Sequence, residues 1–420
     1  MVDLAADVGG DLFELLKNLR ALTPLLAERA AAAERGRKPE DDCMAAIAAT
    51  GLYRFFVPKR YGGFEHPLSA FVDVGLTLAE GCASTAWVTT FCMEHNWMLA
   101  HFPQAAQDEI FGRQPYVIAP AAISPNGRAK AREGGYVLTG RWQWGTGAMH
   151  ADWIMLAGIV ERAGRVERAE HIERAESADR ADRADGNENT TGEMRMFILP
   201  IADVSIIDTW DADGMSGTGS NDMEVKDVFV PFHRSQSLVQ LSIGRSEGSA
   251  LHQSPMYRMP MLPILYLAAG VPAVGAAKAA LQRFVERAPA RTKFGGSARQ
   301  SESTATHIRI GEAQSRLAVA EMICRQVAAE TMTWGEREDM CPIAERVRHR
   351  QLMIQAVRIA RDVVRDLFEA SGANAHLLSE PLQRIHRDVH VIAAHAVFDA
   401  EVIDEQAGRL ALGMAPTIRL

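Results

Sequence analysis

Cysteine is scarce. Five residues, Cys43, Cys82, Cys92, Cys324 and Cys341, are spread over 420 positions with no Cys-x-x-Cys pair. That spacing excludes a zinc ribbon and a disulfide framework, and the thiols read as reduced, as in a cytoplasmic protein. Surplus positive charge is missing too: the net charge of −8 gives nucleic acid no electrostatic footprint. No Gly-x-Gly-x-x-Gly fingerprint occurs, so nothing points to an NAD(P)H site of the Rossmann type. No basic region precedes an apolar core in residues 1–7, so a secretory signal is not expected. One stretch, residues 259–277, lacks charge and is long enough to span a bilayer. It holds Pro260, Pro263 and Pro272 and is rich in Ala and Gly. It reads as a helix buried in a bundle, which is also apolar all round.

What remains is ordinary soluble material, 47% hydrophobic and 23% charged, in a chain long enough for two or three domains. Residues 1–115 read as a helical domain, with amphipathic runs at 12–34 and 41–50, a stop at Gly51, and helices at 68–80 and 89–102. Residues 116–235 change texture. Short β-prone runs at 116–119, 136–139, 153–160, 194–199, 204–207 and 224–230 predict a small barrel or sandwich. Residues 161–193 interrupt it with near-repeats of Glu-Arg-Ala and Asp-Arg-Ala; with little apolar content beyond Ala, they cannot bury a core. They read as an enlarged hairpin loop. Residues 236–420 are helical again, with periodic runs at 271–288, 306–334, 343–371 and 383–408, as in a four-helix bundle. The fold class is therefore α+β, mostly α.

The chemistry concentrates in Gly140-Arg-Trp-Gln-Trp-Gly-Thr-Gly-Ala-Met-His-Ala-Asp-Trp153, between two β-prone runs. Alternation along an extended chain puts Trp142 and Trp144 on one face. Gly145 and Gly147 let the backbone bend around Thr146. An aromatic plane beside a hydroxyl and bare amides suits a flat heterocycle; the bland reading is a Trp-rich hairpin in a β core. A glycine-rich loop, Gly214-Met-Ser-Gly217-Thr218-Gly-Ser220, precedes a strand without a following helix, so it is a weak phosphate-loop candidate. Arg291-Thr-Lys-Phe294-Gly-Gly is a basic loop between helices; its arginine suits a phosphate and its Phe294 a ring. His386 and His390 share a helix face at zinc-like spacing, without the glutamate or a third ligand. His395 lies about 140° further round an ideal helix, near the face of Asp388 and Asp399, either of which could orient its ring.

These segments resemble the acyl-CoA dehydrogenase superfamily. Trp144-Gly-Thr146 stands where that superfamily carries Trp-x-Thr. Pro58-x-x-Tyr-Gly-Gly63, the Gly214–Ser220 loop, Val228-Phe-Val-Pro231 and Arg291-x-x-Phe-Gly match as well. The extended form Gly-x-Trp-x-Trp-x-Thr-Gly-x-x-His is most similar to the flavin monooxygenase branch, typified by the oxygenase component of 4-hydroxyphenylacetate 3-hydroxylase. The resemblance covers nearly the whole chain outside the insertion. It implies an N-terminal helical domain, a central β domain and a C-terminal four-helix bundle. It further implies reduced flavin (FMNH2 or FADH2) delivered by a separate NAD(P)H-dependent flavin reductase, O2, and hydroxylation of a small aromatic or phenolic substrate through a C4a-hydroperoxyflavin. Trp144, Thr146, Gly217, Thr218 and Ser220 would meet the flavin. His395 would be the base, with His95 and Ser124 beside the substrate. Arg291 and Phe294 would touch a neighbouring subunit's flavin, which implies a homo-oligomer, a tetramer in the superfamily. The alternatives are an acyl-CoA dehydrogenase, for which no Tyr-Glu-Gly-Thr segment is recognisable, and a non-catalytic flavin-binding scaffold.

Overall fold

The computed structural model describes residues 11–161, 192–292, 298–337 and 339–418. The charged insertion and Phe294 lie outside the described residues, apart from the insertion's ends, which extend two flanking strands.

Five helices come first: α1 (Leu12–Gly36), α2 (Asp41–Ala49), α3 (Leu68–Gly81), α4 (Ala83–Leu99) and α5 (Gln104–Phe111). Asp11 starts α1 by accepting the Phe13 N–H at 2.8 Å, satisfying one of the donors that a helix start leaves open. Gly51 follows α2 with φ 81°, the left-handed stop its position predicts. α4 begins at Ala83, six residues before the run legible in the sequence. Every residue of it is buried, so no polar face gave its start a period to read.

Seven strands follow: β1 (Ala121–Arg132), β2 (Gly135–Gly145), β3 (Trp153–Glu161), β4 (Glu193–Pro200), β5 (Ser205–Ile207), β6 (Asn221–Pro231) and β7 (Ser235–Ser237). They form one mixed sheet in the order β5-β6-β2-β1-β3-β4-β7, the β layer expected between the two helical parts of the chain. β1 and β3 run parallel, while the other neighbours are antiparallel. β1 was not anticipated, because Ala-Ala-Ile-Ser-Pro-Asn-Gly has weak β-propensity. The expected strand at 116–119 is irregular chain instead, held by Asn96 and Asp152, which accept the Val117 and Ile118 N–H groups at 3.2 and 2.9 Å. Inside the sheet, Leu138, Trp142, Leu156, Phe197 and Met223 form a separate small core.

The chain ends in α6 (Leu238–Ser242), α7 (Met261–Arg287), α8 (Thr304–Glu336), α9 (Ile343–Ala370), α10 (Pro381–Ala393) and α11 (Ala400–Ala411). α7 contains the apolar run. It is long and apolar enough to cross a membrane, yet 83% of its most apolar window is buried in protein. It lies tightly against α3: a Cβ on Gly75 would come within 2.7 Å of Val271, and one on Gly275 within 2.6 Å of the Leu76 carbonyl. The expected helix over 383–408 is broken. α10 stops at Ala393, a single 3-10 turn covers Ala396–Phe398, and α11 restarts after Asp399. The break is made by a tertiary contact. Arg350 of α9 donates to the Ala396 and Val397 carbonyls, each at 2.8 Å, fixing acceptors that a continuous helix would use internally.

Candidate active site

A cavity of about 790 Å³ lies where α4, the sheet and the α10–α11 break meet. Thr146, Trp144, Thr218, Ser220, Ser124, His95 and His395 all line it. Residues chosen from five distant segments thus converge on one cavity. Gly217 does not line it. It is a packing glycine, buried where a Cβ would lie 3.1 Å from Ser84 and 3.2 Å from Ala33. Arg291 is elsewhere in the chain too. Its guanidinium donates to the Ala370 carbonyl at 2.6 Å and the Gln300 side chain at 3.2 Å, capping the C-terminal end of α9. His386 stacks on Phe368 and His390 on His386, with ring centroids 4.3 and 4.2 Å apart, and neither reaches the cavity. A second depression of about 370 Å³, between α8 and α9, is lined mainly by charged side chains and holds none of these residues.

Both tryptophans line the cavity, but their burial differs. Trp142 is wholly buried in the small sheet core, where its Nε1–H donates to the Ala157 carbonyl at 2.7 Å. Trp144 is 52% exposed. The cause is local: Trp144 has φ 67°, and the β2–β6 register slips between Trp142 and Gly145. A left-handed residue at such a bulge re-aims its side chain and strains the backbone, as is common at ligand sites. The Thr146 N–H then donates to the Trp144 carbonyl at 2.9 Å, and Gly147 completes the bend at φ 83°.

Thr146 is the hub of a hydroxyl chain. Its Oγ1 is 2.9 Å from Ser220 Oγ, which is 2.8 Å from Thr218 Oγ1. The Trp87 Nε1–H points at Thr146 Oγ1 from 3.4 Å. The loop bearing Thr218 and Ser220 is tied to α10, because buried Asp388 accepts the Met215 N–H at 2.6 Å. Asp388 therefore orients this loop, not the His395 ring. Burial pushes the Asp388 carboxyl up to about 6.

Ser124 reaches the cavity through a bulge. Ala122 pairs with Leu156 and Gly127 with Gly158, so the residues between them on β1 face a single residue of β3. Three of them, Ile123, Ser124 and Asn126, line the cavity.

His395 caps the 3-10 turn, with its Nδ1 accepting the Val397 N–H at 3.3 Å. The neutral ring therefore carries its proton on Nε2. Burial, helped by Arg350, lowers its pKa to about 4, so the ring is neutral at pH 7. It meets Trp87 in a T-shaped contact at a centroid distance of 5.4 Å. Asp399 caps α11 by accepting the Val402 N–H at 3.3 Å and likewise leaves the His395 ring alone.

Sequence reasoning missed Trp87, Phe91 and Glu94. All three line the cavity beside His95 and Met98, at the i, i+4, i+7, i+8, i+11 spacing of one helix face. Of these only Trp87 lies before the helix read at 89–102, in the turns that α4 adds by beginning at Ala83. Rings run along this face: Trp87 to Phe91 at 4.9 Å, then Phe91 to His95 at 5.8 Å. Burial lowers the His95 pKa to about 3 and raises that of Glu94 to about 8.

The arrangement fits a flavin. A half-exposed indole beside a hydroxyl chain can take a flat ring with polar edges, and the apolar wall of α4 can take an organic substrate beyond it. Residues 267–400 match the family model described as the acyl-CoA dehydrogenase C-terminal domain. Over 92% of this chain and 95% of the other, the sequence is 33% identical to the flavin-dependent monooxygenase oxygenase subunit HsaA of Rhodococcus jostii. It is 31% identical to a pigment production hydroxylase of a Rhodococcus species, over 96% of this chain and 97% of the other. Among solved structures, XiaF from Streptomyces in complex with FADH2 and glycerol superposes with a TM-score of 0.85 at 28% identity, covering 97% of each chain.

Proposed function

The chain belongs to the family of flavin-dependent monooxygenase oxygenase components, which work with reduced flavin and O2, and we propose that it hydroxylates a small phenol in the cavity between Thr146 and His395. The observation that carries this reading is the convergence of the Thr146–Ser220–Thr218 hydroxyl chain, the half-exposed Trp144 and the His395 ring on one largely apolar cavity. Trp144 and Thr146 would hold the isoalloxazine, with Thr146 Oγ1 at its N5 edge. When bound, the reduced flavin supplies two electrons, activates O2 and delivers one oxygen atom, the other leaving as water. The protein orients the substrate and keeps water out, which suppresses loss of the oxidant as hydrogen peroxide.

His395 holds the phenol oxygen. In its present tautomer Nε2–H donates, which stabilises negative charge developing on that oxygen. The ring can accept the phenol proton at Nε2 once its own proton has shifted from Nε2 to Nδ1, which requires release of the Val397 N–H. Ser124 and His95 flank the substrate. The flavin reductase is a separate protein, and we place both in the cytoplasm. We further propose a homo-oligomer, a tetramer, in which Arg291 and Phe294 of one subunit approach the flavin of the next.

An acyl-CoA dehydrogenase would share the bundle that the family model matches, but relatives that span nearly the whole chain are named as oxygenase subunits or components. The test is incubation with a flavin reductase, FMN or FAD, NADH, labelled O2 and a panel of phenols. A product heavier by one labelled oxygen is expected. Reduction of bound flavin by acyl-CoA, with no labelled product, would sink the proposal.

A further inference from the structure

One group in the cavity wall has no task in the reading above. Glu94 is wholly buried, at 0% exposure, and both carboxyl oxygens lack a hydrogen-bond partner. His95 Nε2 lies 3.4 Å from one of them without the alignment of a hydrogen bond, and His95 Nδ1 is unpartnered too. A buried carboxyl with no partner destabilises the fold, whereas a leucine there would not. Glu94 is nevertheless among the residues that line the cavity, on the α4 face it shares with Trp87, Phe91, His95 and Met98.

Its position along the helix matters. Glu94 is seven residues beyond Trp87, about 10 Å along the axis at ~1.5 Å per residue. Trp87 touches both Thr146 and His395. The cavity therefore has a hydroxyl and imidazole end and, one aromatic ring plus a short substituent away, a carboxyl end. No lysine or arginine lines it among the described residues; its titratable groups are Glu94, His95, His395 and Asp399.

We propose that the Glu94 carboxyl donates a hydrogen bond to an uncharged acceptor oxygen of the substrate, a ketone, ester or ether on the side of the ring away from the phenol. It thereby acts as a specificity-determining residue that selects neutral phenols over carboxylate-bearing ones. Burial keeps the Glu94 proton in place up to about pH 8, so the group is a donor at neutral pH. A substrate carboxylate would enter this end with no counter-charge, which is costly in an apolar site. This inference rests on the oxygenase reading of the same cavity.

The experiment uses the full-length protein, Glu94→Gln and Glu94→Leu, with three probes titrated calorimetrically: 4-hydroxyacetophenone, 4-ethylphenol and 4-hydroxybenzoate. Loss of one neutral hydrogen bond should weaken 4-hydroxyacetophenone binding to Glu94→Leu by about 3- to 10-fold. Glu94→Gln, whose amide still donates, should retain most of the affinity. 4-Ethylphenol should bind Glu94→Leu at least as well as wild type, and 4-hydroxybenzoate should be the weakest ligand of the wild type. Glu94→Leu should also melt above wild type. Equal weakening of both neutral probes, or tight binding of 4-hydroxybenzoate to the wild type, would overturn the inference. If Glu94→Leu does not fold, the wild-type ranking of the probes decides. Turnover with labelled O2 is read in parallel. Binding in the expected order without labelled product counts against the oxygenase reading and leaves the Glu94 contact standing.

Discussion

Replacing His395 by alanine separates a structural role from a chemical one. The structural loss is small. The mutation removes the acceptor for the Val397 N–H, a 3.3 Å contact at the start of one 3-10 turn, and an edge contact with Trp87. A cap is typically worth about 1 kcal/mol and a ring contact about 0.5–1.5 kcal/mol. A loss of roughly 2 kcal/mol from a typical stability of about 5–15 kcal/mol leaves the chain folded. The chemical loss is larger, since a general acid or base usually contributes about 10²–10⁴-fold. His395→Ala should therefore bind reduced flavin and consume O2 near the wild-type rate, while hydroxylated product falls at least about 100-fold and hydrogen peroxide takes its place. His395→Asn can still accept the Val397 N–H, so it should recover the melting temperature but not the product. The assay counts product and peroxide per reduced flavin oxidised. Hydroxylation by His395→Ala within about threefold of wild type, far less than a general base contributes, would refute the reasoning. His95, which also lines the cavity, would then be the next candidate.

Thr146→Ala should fail differently, raising peroxide release even without substrate, because its hydroxyl is proposed to meet the flavin; stopped-flow absorbance distinguishes this from the His395 defect. Arg291→Ala should weaken flavin binding in the oligomer and also lower the melting temperature, since the guanidinium caps α9 through the Ala370 carbonyl; unchanged flavin affinity would remove the shared site. Glu94→Leu should stabilise more at pH 8 than at pH 5. The folded carboxyl holds its proton to about 8, against an ordinary value of 4.5, so folding binds the extra proton between these values and wild-type stability declines as pH rises through them. Parallel melting curves at the two pH values would contradict this. Replacing residues 162–192 by a short Gly-Ser turn should preserve folding and turnover, because loop length costs little entropy; loss of folding in a melting scan would show that the segment packs.

Local pattern alone determined much of this protein. Helical periodicity placed α1, α3, α8 and α9 within two or three residues of their ends, because an amphipathic face is a property of neighbours three and four apart. The resemblance of short motifs to a known family chose Thr146, Ser220, Ser124, His95 and His395, and all of them line one cavity. What failed were features set by distant partners. The fully buried start of α4 hid Trp87, since a helix buried on every side shows no face, and nothing in the local pattern set Phe91 and Glu94 apart from their equally buried neighbours. The left-handed bulge at Trp144 leaves its ring half exposed while Trp142 is buried, because it depends on register with β6 and not on alternation along β2. The helix break before His395 is fixed by Arg350 from another helix, and Asp388 turned out to hold the Met215 loop. A sequence records which groups are available, but contacts between residues tens or hundreds of positions apart decide which way a ring points and whether a carboxyl finds a partner.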